Sequence, residues 1–309
     1  MRNALLILVS LFMITGATFM LTPMFSSNEI KVASPKDTVF VIKPVVYDRI
    51  ADGLWVAEAE APIKSPVNNS IITIVKIDPK YFRFQMMCAS QHGKKRRSLQ
   101  EWCEEFGMAG AFNAGMFNMG NKSSSMGFMK NYGHVNNYRM NPKYKAMVAF
   151  NRTDMNVPEF QIADEDCKPW STLKYKYSSC FQGMRMIDCN QQPIGWNANP
   201  RLKCSMVVLA QDKQGNALIL FTRSPYSPND FIRMMLAMPL NIKNAIYLEG
   251  GPEAGIFLDY KDYNLVRMGS WVSDVHEEDT YNRLYPLPNV VGFVPIPQKE
   301  PIKKNLPKK

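Results

Sequence analysis

Short apolar runs broken by turn residues fill the chain between about residues 38 and 297. "NSIITIVKI", "YFRFQMMCA", "MAGAFNAGMF", "YKAMVAFN", "CSMVVLAQD", "NALILFT", "NAIYLEGG" and "NVVGFVPI" are rich in Val, Ile, Phe and Tyr and read as strands. Two of them flank "DKQGN" (Asp212 to Asn216), a natural hairpin. Helical spacing shows clearly in two places. In "SLQEWCEEFG" Leu99, Trp102, Cys103 and Phe106 recur at i, i+3, i+4 and i+7, Ser98 and Glu101 have the spacing of a capping box, and Gly107 can end the helix. In "SPNDFIRMMLAMPL" Ser227 caps, Pro228 suits the first turn, and Phe231, Met234, Met235 and Met238 form a packing stripe that Pro239 closes. The pattern predicts a single α+β domain over 38–297, with many strands, mainly antiparallel, and a few covering helices. No internal repeat appears, which excludes a solenoid or propeller.

The ends differ from this body. Arg2 precedes a nearly uncharged stretch from Ala4 to Phe25, so residues 1–25 read as an export signal or a retained N-terminal membrane anchor. Either one places the folded part outside the cytoplasm, in the periplasm or secreted. Residues 26–37 are polar and read as a linker, and 298–309 as a basic tail of Pro and Lys. The six cysteines fit an oxidising compartment. Cys180 and Cys189, close in sequence, are the expected bridge, with Cys103 a buried thiol. No C-x-x-C pair occurs and there are only three histidines, which argues against a zinc centre. No cofactor is expected, and a divalent cation stays open. The formal charge of +10 suits anionic partners such as phosphate-bearing glycans, without a nucleic-acid motif to accompany it. "KKRR" (Lys94 to Arg97) and the acidic run Asp164 to Asp166 read as solvated turns.

G-x-S-x-G, Walker A, G-x-G-x-x-G and H-E-x-x-H are all missing, and no Ser/His/Asp spacing forms a triad. Two corners remain, "AFNAGMFNMG" and "YLEGGPEAG", where an apolar strand delivers Asn113 or Glu249 beside glycine. Bare main chain there lets a substrate approach N–H groups closely, and Glu249 can serve as acid, base or orienting carboxylate. Arg185 in "FQGMRMIDC" and Arg223 in "LFTRSPYSPND" are guanidinium groups able to hold phosphate, Arg223 just before a capped helix.

The run "LFTRSPYSPNDFIRMMLAMPLNIKNAIYLEGGPEAGIFL", with "FNAGMF" and "FQGMRMID" upstream, resembles the phosphodiester glycosidase family, most of all its bacterial exported branch. The resemblance extends from about Ile72 to Pro295. It implies an α+β fold with extensive twisted sheet, and removal of a sugar from a sugar-1-phosphodiester. It also implies a site lined by Asn113, Gly115, Arg185, Arg223, Glu249, Gly250 and Gly251. Here Glu249 stands where the broader family usually has Asp, and Gly255 where Ser is common. On this reading Arg185 and Arg223 bind phosphate, Asn113 the sugar hydroxyls, and Glu249 is base or nucleophile. All three charged groups should then converge on one hollow. The alternatives are a non-catalytic glycan-binding or exopolysaccharide assembly factor, or a structural envelope protein.

Overall fold

The structure, a computed structural model, describes residues 42–298 except Met119, Lys122, 197–201 and 274–278. The expected export segment, the linker and all but Gln298 of the basic tail lie outside the described residues. Among those described, no helix is long and apolar enough to cross a membrane.

In chain order the strands are β1 (Asp48–Ala51), β2 (Leu54–Glu60), β3 (Ile71–Ile77) and β4 (Phe82–Cys88). Helix α1 (Leu99–Phe106) precedes β5 (Gly110–Asn113), β6 (Met129–Asn131), β7 (His134–Asn137), β8 (Ala146–Arg152) and β9 (Phe160–Asp164). Then come β10 (Tyr177–Ile187), β11 (Cys204–Asp212), β12 (Ala217–Tyr226), α2 (Pro228–Ala237) and β13 (Ile242–Gly250). A single 3-10 turn, Gly251–Glu253, leads into β14 (Gly255–Tyr260), β15 (Tyr263–Met268) and β16 (Asn289–Pro295).

The strands form two antiparallel sheets, as the α+β reading expects. The larger runs β1-β2-β3-β12-β11-β13-β10-β6-β7, with β8 and β9 joined through β10, and the smaller runs β15-β14-β5-β16-β4. Their inner faces meet in one core, where Val207, Leu209, Phe221, Ile246 and Leu248 of the larger sheet pack with Phe84, Phe112, Ile256, Leu258 and Phe293 of the smaller. Alternation sends the other side chains outward: Met206, Val208 and Leu220 pack under Phe231, Met234 and Met235 of α2. Ala111, Phe257 and Val290 of the smaller sheet lie against Leu99, Trp102 and Cys103 of α1. Both faces of the central strands are therefore buried, which is why these strands read as nearly continuous apolar runs. Sequence-predicted caps are present: Ser98 and Glu101 close a reciprocal capping box with Gly107 left-handed at φ 63°, and Ser227 accepts from the Asp230 N–H.

The disulfide differs from expectation. Cys167 pairs with Cys189, and Cys180 is a buried free thiol, as are Cys88 and Cys103. Cys180 stands seven residues before the end of β10, and extended chain rises about 3.3 Å per residue, so strand geometry carries it far from Cys189. The acidic run is a solvated turn only in part: Glu165 and Asp166 lie in an exposed turn, whereas Asp164 does not. Asp164 ends β9 fully buried, accepts from the Cys189 N–H at 3.1 Å and pairs with Arg185, so it ties the disulfide loop to β10.

Candidate active site

β13 lies in the middle of the larger sheet and passes directly into the smaller one through the turn at Gly251–Glu253. Near its end Val207 faces Glu249 while the next residue, Val208, faces Tyr247, so Leu248 is an inserted residue and the strand bulges. Gly251 then takes φ +65°, a backbone that only glycine adopts readily. Gly250 is required for a different reason: a Cβ there would stand 2.1 Å from the Tyr247 hydroxyl and 2.9 Å from Cys204 Sγ. The corner is thus built to bring main chain against Tyr247 and Cys204, with Glu249 and Glu253 on either side of the glycines.

Glu249 keeps part of its surface open, but protein atoms crowd its carboxyl, and burial pushes its pKa up to about 8. The Gly250 N–H donates to Oε1 at 3.2 Å and opposes that rise, while the nearby Glu253 adds to it. At neutral pH Glu249 therefore carries its proton. Glu253 is also raised by burial, and Arg96 restrains it. Glu249 acts in turn on the Tyr144 hydroxyl, which burial first and Glu249 second push up to about 12. Tyr247 is raised well above the usual phenol range by burial, and Cys204 is raised by burial against the lowering effect of the Tyr247 hydroxyl. The site as built is a protonated carboxyl, a second carboxyl group, two phenols and a thiol. Among the described residues no cluster of three or more His, Cys, Asp or Glu could hold a metal.

The expected convergence of Arg185, Arg223 and Glu249 on one hollow is not found. Arg185 on β10 donates from Nη1 to Asp164 and Asp166, each at 2.6 Å, and lines a hollow with Lys143, Lys145 and Trp196. Arg223 on β12 is gripped by Asp279 through Nε at 2.7 Å and Nη2 at 2.5 Å, and donates to the carbonyls of Met268 and Tyr281. It lines a separate hollow with Glu58, Asn68 and Arg267. Glu249 lines neither hollow. Both guanidinium groups already have carboxylate partners that offset their charge. Arg223 still acts on the corner at one remove: it anchors Met268, whose neighbour Gly269 lies so close to Gly251 that a Cβ would meet its carbonyl at 2.0 Å.

Asn113 ends β5 and is almost wholly buried. Its Nδ2 donates to the Glu253 carbonyl at 2.8 Å and its Oδ1 accepts from the Gly255 N–H at 3.0 Å, so both ends of the amide are spent on the corner's main chain rather than open to a sugar. Gly115 adopts φ +85° beside Phe181 and Gln182, a turn position in the loop after β5. Gly255 leaves no room for a hydroxymethyl group, because a Cβ would already meet Leu99 at 2.9 Å.

Sequence reasoning missed Glu253, Tyr144, Tyr247, Cys204 and Arg96. Glu253 was the most accessible, four residues after Glu249 in the same glycine-rich run. Arg96 belongs to "KKRR", which is not merely a solvated loop: Arg97 is buried and bound to Glu105, and Arg96 stacks over the Tyr285 ring at 5.8 Å. Arg96 Nη1 is buried without a hydrogen-bond partner among the described residues. Nothing in the spacing of that run announces it.

No family model matches this sequence, and no curated protein sequence is similar to it. Solved structures do resemble it. A hypothetical protein from Synechocystis superposes with a TM-score of 0.53 at 14% identity, over 81% of this chain and 64% of that one, so this chain spans less than two thirds of its length. The catalytic domain of zebrafish N-acetylglucosamine-1-phosphodiester alpha-N-acetylglucosaminidase, auto-inhibited by its pro-peptide, superposes with a TM-score of 0.52 at 12% identity, over 81% of this chain and 86% of that one. At these identities the likeness is one of fold, and the fold it establishes is shared with a phosphodiester glycosidase.

Proposed function

We propose that this chain is an exported hydrolase that cleaves a sugar-1-phosphodiester at its anomeric carbon. The observation that carries the reading is Glu249, a carboxyl held protonated up to about pH 8 beside a second carboxyl group at a glycine corner. Environments that separate the roles of two carboxyl groups are what acid-assisted glycosidic cleavage needs. The proposed roles differ from those expected of the sequence. Glu249 gives its proton to the bridging oxygen as the bond from the anomeric carbon breaks, and water adds to that carbon with its proton passing to Glu253. Glu249 is therefore acid rather than base or nucleophile. Arg96 opposes the rise in the Glu253 pKa and so favours its ionised form. Asn113, Gly250 and Gly251 position the corner, and Arg223 braces it from behind. The Cys167–Cys189 bridge is in keeping with export.

The test is turnover of a panel of sugar-1-phosphodiesters by the purified chain, with and without chelator. Glu249→Gln should lose most activity, on the order of 100-fold or more, and the wild-type rate should fall as pH rises through about 8. Wild-type turnover by Glu249→Gln would end the assignment. A non-catalytic glycan-binding role is the competing reading, favoured by the ion pairs that already occupy Arg185 and Arg223. It predicts saturable glycan binding, unchanged in Glu249→Gln, with no turnover of any member of the panel.

A further inference from the structure

A hollow of about 480 Å³ opens beside β10, lined by Lys143, Lys145, Met184, Arg185, Ile194 and Trp196. Its floor is apolar, and its one aromatic wall is fixed: Trp196 Nε1 donates to the Arg185 carbonyl at 2.9 Å, and the indole meets the Tyr247 ring edge-on at 5.1 Å. The rim is cationic. Arg185 is matched by Asp164 and Asp166, and Lys145 acts on Asp166, but neither lysine forms an ion pair among the described residues and both are exposed. Met184 is the cross-strand partner of Tyr247, whose hydroxyl packs against Gly250, and Tyr144, which feels Glu249, lies between the two lysines in the chain. Glu249 itself does not line the hollow.

We propose that the hollow is a ligand site separate from Glu249 and that it takes a single phosphate-headed amphiphile, the phosphate at Lys143 and Lys145 and an apolar chain against Met184, Ile194 and Trp196. A sugar or inorganic phosphate alone would leave the apolar floor wet, and a neutral hydrocarbon would leave the lysines unused. The site does not depend on the role of Glu249.

Binding tests it separately from catalysis. The full chain, carried in discs of zwitterionic lipid, is titrated with octyl phosphate below its micelle concentration, following tryptophan fluorescence against Trp196→Phe and against empty discs. Saturable binding is expected, with octanol and inorganic phosphate each at least ~10-fold weaker, and each of Lys143→Gln and Lys145→Gln weakening octyl phosphate ~5-fold, the scale of one exposed charge contact. Both lysines are exposed, so neither change threatens folding; Glu249→Gln should bind as wild type. Equal affinity for octanol overturns the proposal, as does indifference to both lysine changes, as does attachment to anionic vesicles without binding of the monomer. A failed turnover assay alongside lysine-dependent binding would sink the hydrolase and leave this site standing.

Discussion

Burial raises the Glu249 pKa to about 8 from an ordinary value of 4.5, so between those pH values the folded chain holds a proton that the unfolded chain releases. Stability must then fall as pH rises through that window, with the whole cost present above about 8. The loss is on the order of 5 kcal/mol. Urea unfolding at pH 5, 7 and 9 should show it, and Glu249→Gln should flatten the profile; parallel curves for the two proteins would mean that the carboxyl is not held protonated. Glu253 is raised in the same sense and adds to the slope, less strongly because it is more open. The glycines separate two effects at the same corner. Gly251→Ala forces a left-handed alanine, costing about 1 to 2 kcal/mol. Gly250→Ala has to displace the Tyr247 hydroxyl and should cost more, with loss of the site's geometry as well as stability. Comparing the two variants by unfolding and turnover tells backbone strain from steric displacement.

Between elements, the Cys167–Cys189 bridge closes a loop with a sequence separation of 22 from the turn after β9 to the end of β10. Removing it with Cys167→Ser should cost about 3 kcal/mol through the freedom restored to the unfolded chain. Cys180→Ser should leave every bridge intact, which peptide mapping under non-reducing conditions decides. What the sequence made legible at this scale follows from how local the cause is. Ser98, Glu101, Ser227 and Pro228 specify helix ends through bonds a few residues long, and both helices stand where those residues place them. Strands buried on both faces, such as β11, β12 and β13, announce themselves as apolar runs. The short β6 and β7 do not, because "MKN" and "HVNN" are held by their own side-chain amides bonding to groups elsewhere: Asn131 donates to the Met86 carbonyl, and Asn136 to Ser90 and the Ser123 carbonyl. The same limit hid the cysteine pairing and the Asp164–Arg185 bond, since each depends on where β9 and β10 lie relative to one another. Of the site, the glycine corner and Glu249 were readable, whereas Arg96 and Tyr144 arrive from loops that only the fold brings near.

At the level of the whole molecule, the corner after β13 is one place where the chain passes from the larger sheet to the smaller, and Asn113 of the smaller sheet holds it there. Its amide satisfies the Glu253 carbonyl and the Gly255 N–H together, both in the crowded seam between the sheets and α1. Asn113→Ala would leave those groups without partners, a loss of about 2 to 4 kcal/mol. The functional consequence should exceed the loss of stability. The core of Ile246, Leu248, Ile256 and Leu258 still joins the sheets without Asn113, so the variant should fold, but the turn carrying Glu253 would no longer be fixed relative to Glu249. Misplacing one of two cooperating carboxyl groups by about 1 Å costs on the order of 100-fold in rate, so kcat should drop far more than KM rises. Asn113→Asp supplies the control: it keeps an acceptor for the Gly255 N–H but loses the donor to the Glu253 carbonyl, and should restore part of the stability without restoring the rate. If Asn113→Ala instead raised KM alone and left kcat intact, its amide would be meeting substrate directly, and the role first expected of it from the sequence would return.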